Sequence, residues 1–306
     1  MKAITASDRE AGIAGLKLQE RPYPHAAEND VIVRVHAAGF TTGELEWPGT
    51  WTDRAGRDRT PTIPGHEVAG VVVELGYGTT GLTVGQRVFG IADWTRDGSL
   101  AEYVAVETRN LAPLPADIDF VSAASLPISG LTAFQGLFVH GTVAAGQTVL
   151  VTGAAGGVGT AVCQLARAAG AFVIGAGRKQ QEARILEAGA HSFLNLDDDP
   201  IGGNDPIDLL FDVLGGAVGV RLSERIRPGG TQISIASPPD VSRADISAHF
   251  FVVETDRGQL IDLIGRVGTG RLRTYVGDVV PLEKAAAAFA TGSTAPGKIV
   301  VKVAAD

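Results

Sequence analysis

The chain has 306 residues, 45% of them hydrophobic and 20% charged, which are the proportions of an ordinary globular protein with room for two domains. Its net charge of −8 argues against a nucleic-acid partner and an anionic membrane surface, since both reward clustered Lys and Arg. Because no apolar run is long enough for a membrane span, no secretory signal is recognisable and only one cysteine is present, we expect a cytoplasmic protein.

The first 115 residues or so have the pattern of a β domain. Short runs that are apolar or alternate with polar residues are separated by Gly, Pro and Asp, which is typical of strands joined by turns. The predicted strands cover residues 1–5, 31–37, 68–75, 87–91 and 100–106.

The middle of the chain has a different pattern, in which strands alternate with amphipathic helices after a helical stretch at residues 120–139. This alternation predicts an α/β domain with a parallel sheet covered on both faces. Six strands is the number expected of a doubly wound dinucleotide-binding sheet. They are predicted at residues 149–152, 172–176, 193–195, 207–213, 232–236 and 250–253.

The last part of the chain returns to a β pattern, with strands predicted at residues 276–280 and 298–303 around an alanine-rich helix. We therefore expect the C-terminus to fold back into the first domain. In this interpretation residues 1–118 and 272–306 form one domain, and residues 119–271 form the other.

A glycine-rich turn, Gly153-Ala-Ala-Gly-Gly-Val-Gly159, joins the first α/β strand to the next helix. Glycines let the backbone approach a pyrophosphate and let the helix pack on the strand, while the helix N-terminus offers free N–H groups to the anion. Ala154 interrupts the strict G-x-G-x-x-G fingerprint, but the strand–turn–helix context still predicts a dinucleotide site. Its cofactor-binding residues are Ala155, Gly156, Gly157, Val158 and Gly159.

The residue after the next strand indicates which cofactor binds. About 20 residues beyond the loop, NAD-binding proteins usually place Asp or Glu to hold the ribose 2′-hydroxyl. This chain has Arg178 there, followed by Lys179. A guanidinium matches a phosphate by paired hydrogen bonds, so the sequence predicts NADPH. The alternative is that Arg178 is a solvated residue at a strand end.

Several motifs resemble the medium-chain dehydrogenase/reductase superfamily. Pro64-Gly-His-Glu-Val-Ala-Gly70 is similar to its G-H-E signature. Leu126-Pro-Ile-Ser-Gly-Leu-Thr-Ala133 and the glycine turn are similar to its quinone oxidoreductase-like branch, and Gly297-Lys-Ile-Val-Val-Lys-Val303 extends the resemblance over nearly the whole chain. The resemblance implies a GroES-like β-rich catalytic domain, a Rossmann domain and a homodimer.

The resemblance also locates the positions where zinc-dependent members hold their catalytic metal. Thr41 and Ile128 stand where those members have cysteines, and only His66 matches a ligand. Because a catalytic zinc normally takes three protein ligands and a water, we expect no metal. His66 and Glu67 are then interpreted as structural residues. Thr41 is the candidate catalytic residue, hydrogen-bonding the nicotinamide ribose or the substrate.

Further site residues follow from the resemblance and from the rule that ligands bind at the ends of parallel strands. Thr132 is expected at the nicotinamide end. The rest of the cofactor groove is expected to be lined by Leu214, Gly215, Ala236, Phe251 and Val253. Trp47 and Trp51 could stack on a flat substrate or simply pack within a long loop.

Without zinc, hydride transfer favours acceptors that spread the incoming negative charge. The sequence therefore predicts an NADPH-dependent reductase of quinones or α,β-unsaturated carbonyls (enones). Two alternatives stay open: an enoyl reductase dedicated to one biosynthetic intermediate, and an NADPH-binding sensor or structural protein with little turnover.

Overall fold

The computed structural model describes residues 1–41, 43–198, 205–240, 243–292 and 297–304. The chain divides into two compact units. Unit 1 comprises Met1–Ile128 and Thr255–Asp306, and unit 2 comprises Ser129–Glu254. The predicted fold class, a β-rich GroES-like part and a Rossmann-like part with a parallel sheet, is confirmed.

The described residues form fifteen strands and eight α-helices. The strands are β1 (Lys2–Thr5), β2 (Lys17–Glu20), β3 (Asp30–Gly39), β4 (Glu67–Leu75), β5 (Arg87–Ile91), β6 (Tyr103–Glu107), β7 (Leu111–Pro113), β8 (Thr148–Val151), β9 (Phe172–Gly177), β10 (Ser192–Asn195), β11 (Ile207–Asp212), β12 (Ile226–Ser234), β13 (Ser247–Phe250), β14 (Val276–Pro281) and β15 (Lys298–Lys302). The helices are α1 (Pro48–Trp51), α2 (Phe120–Ala124), α3 (Pro127–Phe134), α4 (Gly157–Ala168), α5 (Glu182–Glu187), α6 (Gly216–Ser223), α7 (Arg257–Gly268) and α8 (Ala285–Thr291).

Unit 1 is built around a seven-stranded sheet in the order β14-β15-β3-β4-β5-β7, with β6 also paired to β3. The pairs are antiparallel except for β14 and β15. Its strands bury Val, Ile and Leu side chains in one hydrophobic core, which also contains Phe40 and Trp51. Strand β15 pairs with β3, with Val300 opposite Gly39, so the C-terminal strand completes the sheet that the N-terminal part begins.

Unit 2 contains the six-stranded sheet in the order β10-β9-β8-β11-β12-β13, and every pair in it is parallel. The order reverses between the neighbours β8 and β11. The ends of these two strands therefore form a topological switch point, where open α/β sheets bind their ligands.

The observed unit boundaries differ from the expected ones, at residues 128 and 254 instead of 118 and 271. Helix α7 belongs to unit 1, where Arg257 donates hydrogen bonds to the carbonyl oxygens of Leu111 (2.7 Å) and Thr108. Helix α2 also packs on unit 1, because Phe120 stacks on His36 with ring centroids 4.3 Å apart. An amphipathic pattern shows that a helix buries one face, but not which sheet covers that face.

Two strands of unit 2 and the helix that precedes its sheet also differ from the prediction. The strands expected at residues 232–236 and 250–253 lie earlier, as β12 and β13. The helix expected at residues 120–139 is divided into α2, α3 and a π-helical turn at Gln135–His140. In the part of the chain that the structure describes, the longest helices have twelve residues, and none is long and apolar enough to cross a membrane.

Candidate functional site

The glycine turn of unit 2 forms a cradle at the start of α4. Gly153 adopts a left-handed conformation with φ of +60°, and Gly156 caps the helix in an extended conformation. Among the described residues no side chain caps the first turn of α4, so no capping group satisfies its N–H groups there. A helix start of this kind favours a phosphate, because unpaired N–H groups and the positive end of the helix dipole point at the same place.

Close backbone packing explains why glycines occupy this cradle. A Cβ on Gly159 would lie 2.6 Å from the Cα of Ala154 and would also meet the carbonyl oxygen of Gly153. A Cβ on Gly157 would lie 2.8 Å from the Oγ of Ser129. Ala154 is tolerated in the interrupted fingerprint because its side chain is buried and its N–H donates to the Ala176 oxygen at 3.1 Å.

Two buried polar side chains, Thr152 and Asp212, connect the ends of β8 and β11. The Thr152 hydroxyl donates to the Asp212 carboxylate at 2.7 Å, and accepts a hydrogen bond from the Val213 N–H at 2.8 Å. The same carboxylate accepts from the Gly215 N–H at 3.0 Å. These bonds hold the loop after β11 beside the cradle. Sequence reasoning missed both residues, although a Thr directly before the glycine turn was visible.

Arg178 and Lys179 follow β9, and both side chains are exposed. The Lys179 ammonium lies 2.5 Å from the Glu182 carboxylate, so its charge is already paired. The Arg178 guanidinium forms no ion pair within the described ranges, and its main-chain N–H donates to the Gln181 side chain at 3.0 Å. Of the two predicted phosphate-binding side chains, Arg178 is the better placed to accept a new anion.

Some of the other predicted cofactor residues of unit 2 lie on exposed loops, and the rest have buried side chains. Leu214, Gly215 and Ala236 lie on adjacent loops, since a Cβ on Gly215 would be 3.2 Å from the Ala236 Cβ. Leu214 and Ala236 are exposed, whereas Thr132 is buried in α3.

The segment that includes Phe251 and Val253 presents its backbone, because both side chains are buried. Phe251 packs against His140 with ring centroids 4.5 Å apart. The Gln135 side chain donates to the Glu254 carbonyl oxygen at 2.7 Å and accepts from its N–H at 3.2 Å. These two hydrogen bonds hold the end of the segment in place.

In unit 1, three rings form a group that we call the Trp–His cluster: Trp47, His66 and Trp94. The Trp47 and Trp94 rings meet edge to face with centroids 5.0 Å apart. The His66 ring lies 5.1 Å from Trp94 and 6.3 Å from Trp47, inclined by 27° to the latter. Sequence reasoning had identified Trp47 and His66 but missed Trp94, which lies far from them along the chain.

His66 is buried, and neither ring nitrogen has a hydrogen-bond partner among the described residues. Burial lowers the pKa of His66 to about 4, with a further contribution from the positive charge of Arg59. The imidazole is therefore neutral at physiological pH, and offers one N–H donor and one nitrogen acceptor.

Two buried glutamates lie near the Trp–His cluster: Glu67 follows His66 in the sequence, and Glu44 is hydrogen-bonded to Gly65. Glu67 pairs with Lys298 and accepts a hydrogen bond from the Ile128 N–H at 3.0 Å. Glu44 accepts from the Gly65 N–H at 2.7 Å. Burial raises the pKa of the Glu44 carboxyl well above its usual range, and the negative charge of Glu67 raises it further. The contacts of Glu67 are those of a structural residue. Glu44 was not identified from the sequence.

Of the remaining unit 1 candidates, Thr41 has a buried hydroxyl without a partner among the described residues, while Trp51 packs in the core. The Trp51 indole N–H donates to the Leu45 carbonyl oxygen at 2.7 Å. Trp51 is therefore a packing residue, and we remove it from the expected substrate site. Both possible roles of Trp51 were open in the sequence, and its burial decides between them.

The positions that would hold a catalytic zinc carry Thr41, His66 and Ile128. Within the described ranges, no three His, Cys, Asp or Glu side chains are grouped so as to hold a metal ion. The expectation of metal-independent activity stays a prediction.

Comparisons with known proteins agree with this architecture. Residues 27–116 match the alcohol dehydrogenase GroES-like domain, and residues 188–301 match the zinc-binding dehydrogenase family. The chain is 32% identical to a quinone oxidoreductase of Rattus norvegicus, over 89% of this chain and 88% of that protein. It is also 32% identical to the chloroplastic NADPH-dependent alkenal/one oxidoreductase of Arabidopsis thaliana, over 98% of this chain and 79% of that protein.

Among solved structures, a quinone oxidoreductase from Coxiella burnetii superposes with a TM-score of 0.88 at 27% identity, covering 99% of each chain. The shared fold, the matched family models and the relatives lead to one assignment. The chain belongs to the medium-chain dehydrogenase/reductase superfamily, in its quinone oxidoreductase branch.

Proposed function

We propose that this protein is an NADPH-dependent oxidoreductase that reduces quinones or α,β-unsaturated carbonyls without a metal. The glycine cradle at the start of α4 is the observation that carries the proposal, because close packing there leaves uncapped N–H groups and no room for side chains. The relatives named quinone oxidoreductase and NADPH-dependent alkenal/one oxidoreductase support the choice of substrate class.

The residues of unit 2 fit a dinucleotide. The backbone N–H groups of Gly157, Val158 and Gly159 would hold the pyrophosphate. Ala155 and Gly156 would complete the turn, since the Gly156 N–H already donates to the Gly153 carbonyl oxygen at 2.9 Å. Arg178 would bind the 2′-phosphate that distinguishes NADPH, with Lys179 beside it. The rest of the cofactor would lie along Thr132, Leu214, Gly215, Ala236 and the backbone of residues 251–253. When bound, NADPH supplies the hydride.

In unit 1, Thr41 and Trp47 are the proposed substrate residues. The Thr41 hydroxyl is buried and has no hydrogen-bond partner in the part of the chain that the structure describes, and Trp47 presents a half-buried ring. Thr41 and Ile128 replace metal ligands, so the acceptor itself must spread the negative charge that hydride addition creates. Quinones do this through the ring, and conjugated enones do it through an enolate.

The test is NADPH oxidation by the purified protein with small quinones, conjugated enones and saturated carbonyls of matched size. We expect turnover with the quinones or enones and far slower turnover with the saturated compounds, in the presence of a chelator. Comparable rates for an enone and its saturated analogue would contradict the mechanism. No turnover with any acceptor would favour a dedicated biosynthetic enoyl reductase or a non-catalytic NADPH-binding protein.

A further inference from the structure

His66 has an unusual environment for a buried histidine. Its side chain is almost completely removed from solvent, yet neither ring nitrogen forms a hydrogen bond within the described part of the chain. Buried polar groups are nearly always paired, and an unpaired one carries a desolvation penalty. Even the exposed His191 has a partner, since its Nδ1 accepts a hydrogen bond from the Val173 N–H at 3.0 Å.

The surroundings of His66 suit a flat conjugated molecule. Trp47 and Trp94, both half-buried, place two indole rings next to the imidazole. Aromatic faces and edges bind planar π systems in stacked or edge-to-face geometries. Thr41 lies shortly before Trp47 in the chain, and its buried hydroxyl has no partner among the described residues. The Thr41 carbonyl oxygen accepts a hydrogen bond from the Glu44 N–H at 2.9 Å.

We propose that His66, without a metal, is a catalytic residue that donates an N–H hydrogen bond to the carbonyl oxygen of a planar conjugated acceptor flanked by Trp47 and Trp94. This role rests on the proposed function, and it makes His66 the group that recognises the carbonyl oxygen of the substrate. The carbonyl oxygen then becomes the hydrogen-bond partner of the protonated ring nitrogen.

The electron balance shows why a neutral donor suffices. In an enone, the hydride pair forms a C–H bond at the β-carbon, and the alkene π pair moves to join the α-carbon to the carbonyl carbon. The carbonyl π pair then becomes a lone pair on oxygen, which gives an enolate. The His66 N–H bond strengthens as this charge develops, since a hydrogen bond to a charged group is worth more than one to a neutral group. Water supplies the proton that finally reaches the α-carbon.

The first test compares His66→Phe, which keeps a flat ring, with His66→Gln, which keeps an N–H donor. We expect kcat/KM for an enone to fall roughly 10- to 150-fold in His66→Phe, the range of a hydrogen bond to a charged group. His66→Gln should recover part of that loss. The affinity for NADPH should not change in either variant. The control is His25→Phe, at an exposed histidine of the same unit, which should retain full activity.

The second test does not depend on turnover. The protein has six histidines, so ¹⁵N-labelled imidazole resonances can be assigned by substitution. A nitrophenol, whose anion resembles an enolate, should shift the His66 ring nitrogens in the NADP⁺-loaded protein and leave His25 unmoved. The shift should be lost in Trp47→Leu if the indole helps to hold the ring.

The outcomes separate the inference from the proposed function. Wild-type turnover that is unchanged in folded His66→Phe, with no shift of the His66 resonances, would overturn the role of His66 and leave the reductase assignment intact. A wild-type protein without turnover would refute the proposed function, and the nitrophenol shift would then decide the His66 inference by itself. If His66→Phe does not fold, His66→Gln and the resonance shift remain decisive.

Discussion

The glycine cradle of unit 2 and the Trp–His cluster of unit 1 are candidate ligand sites for opposite reasons. In the cradle side chains are missing: Gly159 packs against Ala154, and backbone N–H groups at the start of α4 are the proposed binding groups. In the Trp–His cluster the side chain of His66 is buried, as is that of nearby Glu44, and burial shifts the pKa values of these two groups in opposite directions. One site depends on backbone geometry, and the other depends on desolvation.

The largest effect on NADPH affinity is expected when a side chain is added inside the glycine cradle. In Gly159→Val, the new side chain meets the main chain of the turn, which must move away from the helix. Loss of two N–H contacts to phosphate would cost about 3–6 kcal/mol, or roughly 150- to 25,000-fold in NADPH affinity. Isothermal titration calorimetry with NADPH measures this loss of affinity.

The matched control for this substitution is Gly265→Ala in α7, where an added Cβ has no neighbour within 4 Å. Alanine there should stabilise the helix by up to about 1 kcal/mol and leave NADPH binding unchanged. Equal binding by the wild type and Gly159→Val would remove the cradle from the proposed cofactor site.

The second prediction concerns the pH dependence of unfolding. Because the folded pKa of His66 is about 4 and the unfolded value is 6.5, only the unfolded chain binds this proton between those limits. The contribution of His66 is therefore fully present above pH 6.5, and about 3 kcal/mol is lost as the pH falls towards 4. In His66→Phe, the free energy of unfolding should vary less over this range.

Glu44 should produce the opposite slope, since its folded pKa is raised. Its protonated form is favoured in the folded state, so its contribution is present at low pH and is lost as the pH rises through the folded value. Glu44→Gln should reduce this loss at higher pH. Denaturant unfolding of the two variants between pH 4 and 8 distinguishes them. Identical slopes in both variants and the wild type would mean that neither group is desolvated as the structure indicates.

The smallest effect on NADPH affinity is expected for the two basic residues after β9, Arg178 and Lys179. Arg178→Ala should weaken NADPH binding roughly 10- to 150-fold and leave NADH binding nearly unchanged, because only NADPH has the 2′-phosphate. Lys179→Ala is the matched control. Its ammonium is paired with Glu182, so a change of less than about threefold is expected. Equal losses for both cofactors in Arg178→Ala would assign the residue another role.

The contrast between the two sites also explains what the sequence could reveal. The cradle is contiguous and its residue types follow from local geometry, so the sequence predicts the glycine turn and the helix that begins after it. The six-stranded sheet followed from periodicity in the same way. In contrast, the burial of Glu44 and the position of Trp94 depend on packing between segments far apart in the chain. Trp51 was ambiguous because an indole in a loop has the same sequence signal whether it is packed or exposed.

The place of β15 in the sheet of unit 1 has a consequence for how the protein is made. Unit 2 is one continuous segment, whereas unit 1 needs both Met1–Ile128 and Thr255–Asp306. During translation, the ribosome therefore releases all of unit 2 before the β15 edge of β3 can be covered and before Glu67 can meet Lys298. Since unpaired strand edges promote aggregation, the first segment carries an exposed edge of this kind until β15 has been synthesised.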